Sequence, residues 1–337
     1  MLVAEAKACT TDYLICFTNL GNYCCLHVFD LTENKWKDEG THINEFTTFA
    51  SGEKIIKVMV INELRKDLYL GIVSKFGQIK RMSIGALDIS IHRRPSKYMK
   101  LLSNDSIAGI SLLTGNSNLL VVTNNGLCSL FNENEVTVVG AKAGGVKSIS
   151  GLKSNSVVGL LAFEEGERSK IVLLTNKGHL RVTDINKFTR TARLGKVQTI
   201  LQSFKGDQHN IVSVIKTSKN DELSLSLYLN DHTCTKIKIN DLRNTEAQYA
   251  KKNINEITAK QQIGFVFDTE VIEVNKSIVS HPVETKKDEF FESKEVESDV
   301  NEPLELENND NNDAEAEEEQ KKEKTGFEQI SIFDDLD

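Results

Sequence analysis

Residues able to do covalent chemistry are spread thinly along the chain. The seven histidines, among them His27, His42, His92, His179 and His209, show no i, i+4 pair, so a metal site is not expected. The six cysteines, Cys9, Cys16, Cys24, Cys25, Cys128 and Cys234, form no CxxC and no His/Cys ligand spacing. They read as free thiols of a reducing compartment. There is no G-x-S-x-G, no Walker loop and no paired-carboxylate signature, and Gly144-Gly145 does not open a helix. What recurs is positive charge. Lys35 and Lys37, then Arg93, Arg94 and Lys97, then Lys142 and Lys147, then Arg190, Arg193 and Lys196 come in clusters at near-constant spacing. Lys80 and Arg81, and Arg181 beside His179, add charge on predicted strands. Cations repeated in this way can follow a phosphate backbone, neutralising charge and releasing counterions without reading bases. Glycines beside them, as in Gly140-Ala-Lys-Ala-Gly-Gly-Val-Lys147, would let backbone N–H groups approach phosphate. Trp36 between two lysines reads as a packing residue, with stacking on nucleic acid as the alternative.

The overall charge of −8 conceals an uneven distribution. Residues 284–337 hold 21 acidic and 6 basic residues, a net of −15; residues 1–283 hold 28 and 35, a net of +7. A mildly basic body suits a polyanionic partner, and an acidic tail can compete with that partner. The tail is also poor in apolar residues and has no strand periodicity, so disorder is expected from 284 onward. No apolar run approaches the roughly 18 residues that a membrane-crossing helix needs. Residues 1–10 lack the layout of a secretory signal, so an intracellular chain is expected.

The elements that must position the cations are short strands. The chain has three prolines and many short apolar runs broken by Gly or Asn turns. Four turns align: Thr18-Asn-Leu-Gly21, Ser74-Lys-Phe-Gly77, Thr123-Asn-Asn-Gly126 and Thr175-Asn-Lys-Gly178, with glycines 56, 49 and 52 residues apart. Each separates two apolar strands, and Asn125-Gly126 predicts a tight primed turn with both residues at positive φ. A fifth copy follows 53 residues later, where Asp231 stands in the glycine's place and Ala250-Lys-Lys252 in that of the basic cluster. A period of about 50 residues with about four strands per repeat predicts an all-β, propeller-like array. In such an array neighbouring blades cover one another's faces.

The segments 17–43, 75–84 (KFGQIKRMSI), 124–149 (NNGLCSLFNENEVTVVGAKAGGVKSI) and 173–197 resemble the C-terminal DNA-binding region of bacterial type II topoisomerase A subunits. Topoisomerase IV is the nearer likeness and gyrase the paralogue. The likeness spans about residues 11–270. It implies a β-pinwheel of about five four-stranded blades over residues 1–283, whose blades exchange strands and whose basic rim bends duplex DNA. The Gln-Arg-Arg-Gly-Gly-Lys-Gly box of gyrase has no counterpart, which favours topoisomerase IV. The winged-helix domain with the DNA-cleaving tyrosine and the first blade are also missing from the likeness, so the chain is expected to be a C-terminal portion, from a truncated sequence or a split gene. None of its tyrosines sits in a context like the catalytic one. The resemblance further implies a holoenzyme that uses ATP and Mg²⁺ outside this chain. Its implied partners are the enzyme's B subunit and the cleavage core of its A subunit in an A2B2 heterotetramer, and its implied place is the nucleoid. A protein-binding propeller scaffold is the alternative from another class. If the acidic tail competes for the rim, deleting 284–337 tightens duplex DNA binding at low salt in a titration, and unchanged binding refutes the competition.

Overall fold

A computed structural model describes residues 7–35, 37–90, 93–202, 209–217, 223–239, 251–252, 261–268 and 272–274. The chain divides into two compact units, Met1–Pro282 and Val283–Asp337, and every described residue lies in the first. The expected tail, Trp36, His92 and Ala250 lie outside the described residues.

Five repeats follow one another. The first contains β1 (Tyr13–Thr18), β2 (Asn22–His27) and β3 (Ile55–Ile61). The second contains β4 (Tyr69–Ser74), β5 (Gln78–Ser83), β6 (Ser96–Lys97) and β7 (Ile107–Leu113). The third contains β8 (Asn118–Thr123), β9 (Leu127–Asn132), β10 (Val146–Lys147) and β11 (Val157–Phe163). The fourth contains β12 (Lys170–Thr175), β13 (His179–Asp184), β14 (Gln198–Thr199) and β15 (Ile211–Thr217). The fifth contains β16 (Leu223–Leu229), β17 (Cys234–Ile239), β18 (Lys251–Lys252) and β19 (Ile263–Asp268), and β20 (Ile272–Val274) follows.

The sheets do not coincide with the repeats. Their strand orders are β20-β3-β1-β2-β6, β10-β5-β4-β7, β11-β8-β9-β14, β15-β12-β13-β18 and β17-β16-β19. The two-residue strand of each repeat therefore leaves its own hairpin and becomes the outer edge of the preceding sheet. β20 runs parallel to β3, pairing Ile272 with Met59 and Val274 with Ile61, and so returns the chain to its first sheet. The strand exchange implied by the resemblance is present at four successive junctions.

The recurring turn explains the exchange. Thr18, Ser74, Thr123 and Thr175 are buried, and each hydroxyl accepts the N–H that opens the next strand, from Asn22, Gln78, Leu127 and His179. Each glycine sits at positive φ, between 77° and 85°, and donates its N–H back to that Thr or Ser carbonyl. The turn is a three-residue loop with one left-handed residue, not the two-residue primed turn predicted, since Asn125 is not at positive φ. In the fifth repeat the loop has the same length, since Tyr228 pairs with Cys234 as Phe17 pairs with Tyr23. His232, not Asp231, takes the left-handed place (φ 64°) and donates to Leu229 O. Asp231 instead accepts from the Thr233 N–H and hydroxyl.

The freed glycine carbonyl is where the next repeat docks. Gly21 O accepts from Tyr98 and Met99 N–H, Gly77 O from Ser148 N–H and hydroxyl, and Gly126 O from Ile200 and Leu201 N–H. At the other end of each sheet, the long third strands begin on the previous repeat's turn. Ile107, Val157, Ile211 and Ile263 donate to the carbonyls of Asn19, Lys75, Asn124 and Asn176.

The core lies between sheets, as the covering of blade by blade predicts. β8 shows why its apolar run lacks polar alternation: Leu119 and Val121 pack towards the second sheet, Leu120 and Val122 towards the fourth. Gly126 is the tightest seat, since a Cβ there would lie 2.0 Å from Leu201 O. Gly166 is also left-handed (φ 78°) but has nothing within 4 Å. Gly166→Ala should lose only the conformational term, about 1–2 kcal/mol. Gly126→Ala should lose roughly 2 kcal/mol more, because the donated segment must move. Urea unfolding of the two variants checks this, and equal losses would remove the turn from its docking role.

Candidate nucleic-acid interface

Donated strands form one edge of four of the five sheets, and cations sit on three of them in register. Lys97 pairs with Asn22, Lys147 with Gln78 and Lys252 with His179, in each case opposite the residue that follows the turn glycine. The third sheet has Thr199 opposite Leu127 at the same place. The loops leading into β6, β10 and β14 carry Arg93 and Arg94, Lys142, and Arg190 and Lys196, whereas Lys35 and Lys37 lie between β2 and β3, where the described residues form no donated strand. Lys35, Lys37, Arg93, Arg94, Lys97, Lys142, Lys147, Arg190 and Lys196 are all exposed. Nine of the thirteen expected contact residues are thus exposed, and seven of them lie on the donated strands or the loops leading into them. Such a surface can hold a polyanion by charge while its spacing follows the strand exchange.

The other four are differently placed. Lys80 is not a surface cation: it is 1% exposed, and its ammonium donates to the carbonyls of Tyr98, Gly140, Ala141 and Ala143. Burial lowers its pKa to about 8. Arg181, at the matching place in β13, is also buried, and burial lowers its pKa. Arg81 is held by fully buried Glu133 at 3.3 Å and by Asn134 at 2.9 Å, with its guanidinium over the Tyr69 ring. Arg193 is half-buried: its Nε donates to Glu135 O and its Nη1 to Lys147 O, while its backbone N–H donates to Glu135 Oε2. Lys80 and Arg81 are therefore structural residues, because the next repeat covers the strand faces that carry them, and Arg181 is buried in the place that matches Lys80. Gly145 has a packing role as well, since a Cβ there would lie 2.7 Å from Ile79 O. Sequence reasoning missed the anchors Glu133 and Glu135, which have no partner within their own strand pattern. It counted Lys252 with the fifth basic cluster but not among the expected contacts, although Lys252 pairs with His179 as Lys147 pairs with Gln78.

Among the described residues no three of His, Cys, Asp and Glu come together to hold a metal ion. Nor is any described helix long and apolar enough to cross a membrane. Residues 69–114 and 117–162 match the family described as the DNA gyrase C-terminal domain, beta-propeller. The matched ranges begin at β4 and close to β8, one repeat each. The A subunit of DNA topoisomerase 4 from Bacillus subtilis is 29% identical over 205 residues, covering 61% of this chain and 25% of that protein. Its counterpart of the same name from Streptococcus pneumoniae is 28% identical over 246 residues, covering 71% and 28%. The chain thus spans about a quarter of the length of these curated relatives. A crystal structure of the C-terminal domain of DNA topoisomerase IV superposes with a TM-score of 0.68 at 26% identity, covering 77% of this chain and 79% of that one. The DNA gyrase A C-terminal domain superposes at 0.60 and 16% identity, over 77% and 83%, and shares the fold.

Arg81 tests the division between rim and framework. Removing it leaves Glu133 buried with only the Gly115 and Ser117 N–H groups as donors. Arg81→Ala should lower unfolding stability by about 2–4 kcal/mol. At temperatures where the variant is folded, its binding to polyanions should match the parent's, and a selective loss of binding would return Arg81 to the interface.

Proposed function

We propose that this chain, which carries repeats of the DNA gyrase C-terminal β-propeller family, is the DNA-binding and DNA-bending region of a topoisomerase IV A subunit. One observation supports the reading above others: Lys97, Lys147 and Lys252 hold matching places on the outermost strands of three sheets. A duplex laid along these edges would meet one cationic segment per sheet. Contacts of this kind neutralise phosphates and do not read bases, so binding is independent of sequence. Bending a 20–30 bp site by 40–90° costs on the order of 1–6 kcal/mol, which several phosphate contacts together can offset. The chain's part in the enzyme is to present a bent segment, aiding decatenation and relaxation.

Strand cleavage, ATP use and Mg²⁺ belong, on this reading, to the core of the A subunit and to its B partner, in the cytoplasm at the nucleoid. The gyrase alternative has weaker support, since the similar full-length proteins are topoisomerase 4 subunits and the gyrase structure shares only the fold. A protein scaffold would call for a polar, non-basic rim, whereas the outer segments here carry seven of the expected cations, all exposed.

With about six phosphate contacts, log K should fall against log salt with a slope near −5. Exchanging Arg93, Arg94, Lys97, Lys142, Lys147 and Lys196 together for Glu should abolish binding measured by fluorescence anisotropy. A slope near zero, or unchanged affinity in that variant, would overturn the reading.

A further inference from the structure

Lys80 presents a problem that the rim does not explain. Its ammonium is surrounded by carbonyl oxygens, Tyr98 O at 2.7 Å, Gly140 O at 2.7 Å, Ala141 O at 2.8 Å and Ala143 O at 3.3 Å. None of these is a carboxylate. A buried ammonium without a counter-charge is retained only where its three N–H groups are matched, and here four acceptors converge on them.

Those acceptors belong to two different rim segments. Tyr98 directly follows Lys97, on the strand donated to the first sheet; Gly140, Ala141 and Ala143 bracket Lys142, on the way to the strand donated to the second. Lys100 N–H also donates to Ala143 O at 3.1 Å. Consecutive cationic segments therefore meet on one side chain. The next step of the array is joined differently. There β9 has buried Ser129 in the matching place, third in the strand, and the segments are tied from outside by Arg193 Nη1 to Lys147 O and by Ser150 Oγ to Gly195 O.

We propose that Lys80 is a positioning residue of the rim: its ammonium fixes the step from the Arg93–Lys97 segment to the Lys142–Lys147 segment, and through it the bend of a bound duplex, without touching the duplex. The proposal rests on the DNA-binding reading. Loss of the proton weakens the ammonium's hold on carbonyl dipoles, and with the pKa lowered to about 8 this loss falls within the range of ordinary buffers. The charged and titratable groups of the elements around Lys80 are Arg81 on its own strand, Tyr69 on β4, Arg93, Arg94, Lys97, Tyr98 and Lys100 on one segment, and Lys142 and Lys147 on the other. Tyr98 donates to Thr18 O, and burial, then the charge of Glu53, raise its pKa. The folded-state pKa of Lys80 lies below its unfolded value of 10.5, so global stability rises as pH climbs from about 8 towards 10.5. Loosening of the pin has the opposite trend, which separates it from unfolding.

The test compares the parent and Lys80→Met at pH 7 and pH 9. One measurement, made without DNA, is hydrogen exchange of residues 140–147 corrected for intrinsic rate. The other is end-to-end energy transfer across a bound duplex of about 30 bp, the length over which bending is appreciable. At pH 7 the variant should exchange at least tenfold faster in 140–147 and bend the duplex less, with its salt slope kept. The parent should approach the variant at pH 9, while the variant stays unchanged between the two. Equal exchange and equal bend at pH 7, or a parent that is flat with pH in both measurements, would overturn the proposal. If the variant does not fold, the parent's pH dependence decides alone. Were the parent to bind no duplex, the DNA-binding reading would fall, and exchange would still decide whether Lys80 joins the segments.

Discussion

The fold depends on one acceptor left unpaired within its own hairpin, the carbonyl of the glycine that closes the turn. Its residue is left-handed, so the carbonyl points out of the hairpin and not along the ladder. A buried carbonyl there needs a partner. The partner comes from the following repeat, whose Tyr98 and Met99, Ser148, or Ile200 and Leu201 N–H groups complete it. That contact brings a two-residue strand to the outer edge of the preceding sheet. From it follow the mismatch between repeats and sheets, the inter-sheet cores, and the placing of the cationic loops on the outside. The turn Thr or Ser makes the arrangement reproducible, since its hydroxyl takes the N–H that a bulged turn would otherwise leave without an acceptor.

This dependence also decides which cations are available to a partner. Lys97 and Lys147 lie on the donated strands, beyond which no further strand packs among the described residues, and they are exposed. Lys80 and Arg81 are neighbours on a strand that a donated strand covers, and both are taken into the framework. They solve the burial of charge in two ways. Arg81 has a carboxylate, Glu133, itself supported by Gly115 and Ser117 N–H groups. Lys80 has only carbonyls, and the pKa near 8 reflects the difference.

Much of this was legible in the sequence. The turns from Thr or Ser to Gly and their spacing revealed the repeat, and the period of about 50 residues pointed to blades that cover one another's faces. The exposed cations were legible too, because they lie in polar loops at a constant distance from each turn. Lys80, Arg81 and Arg181 were misread for a physical reason. A strand's period of two tells which residues share a face, but not that a segment 60 residues onward folds over that face. The fifth turn was misaligned by one residue because Asp231 is of a type that tolerates the left-handed conformation, whereas the register puts His232 in the glycine's place.

The repeats share a backbone but not the residue in the third place of the second strand, which is Cys24, Lys80, Ser129 and Arg181 in turn. All four are buried, on the strand to which the next repeat's two-residue strand pairs. The same docking geometry is thus combined with a thiol, an ammonium, a hydroxyl and a guanidinium, side chains that differ in reach and in the number of N–H or O–H donors. A short side chain leaves the arriving loop to be held by its own residues, as Arg193 and Ser150 hold the fourth. A long cationic one gathers the loop's carbonyls from beneath, as Lys80 does. Backbone exchange sets where each rim segment lies, and this single buried position sets how firmly it is joined to its neighbour.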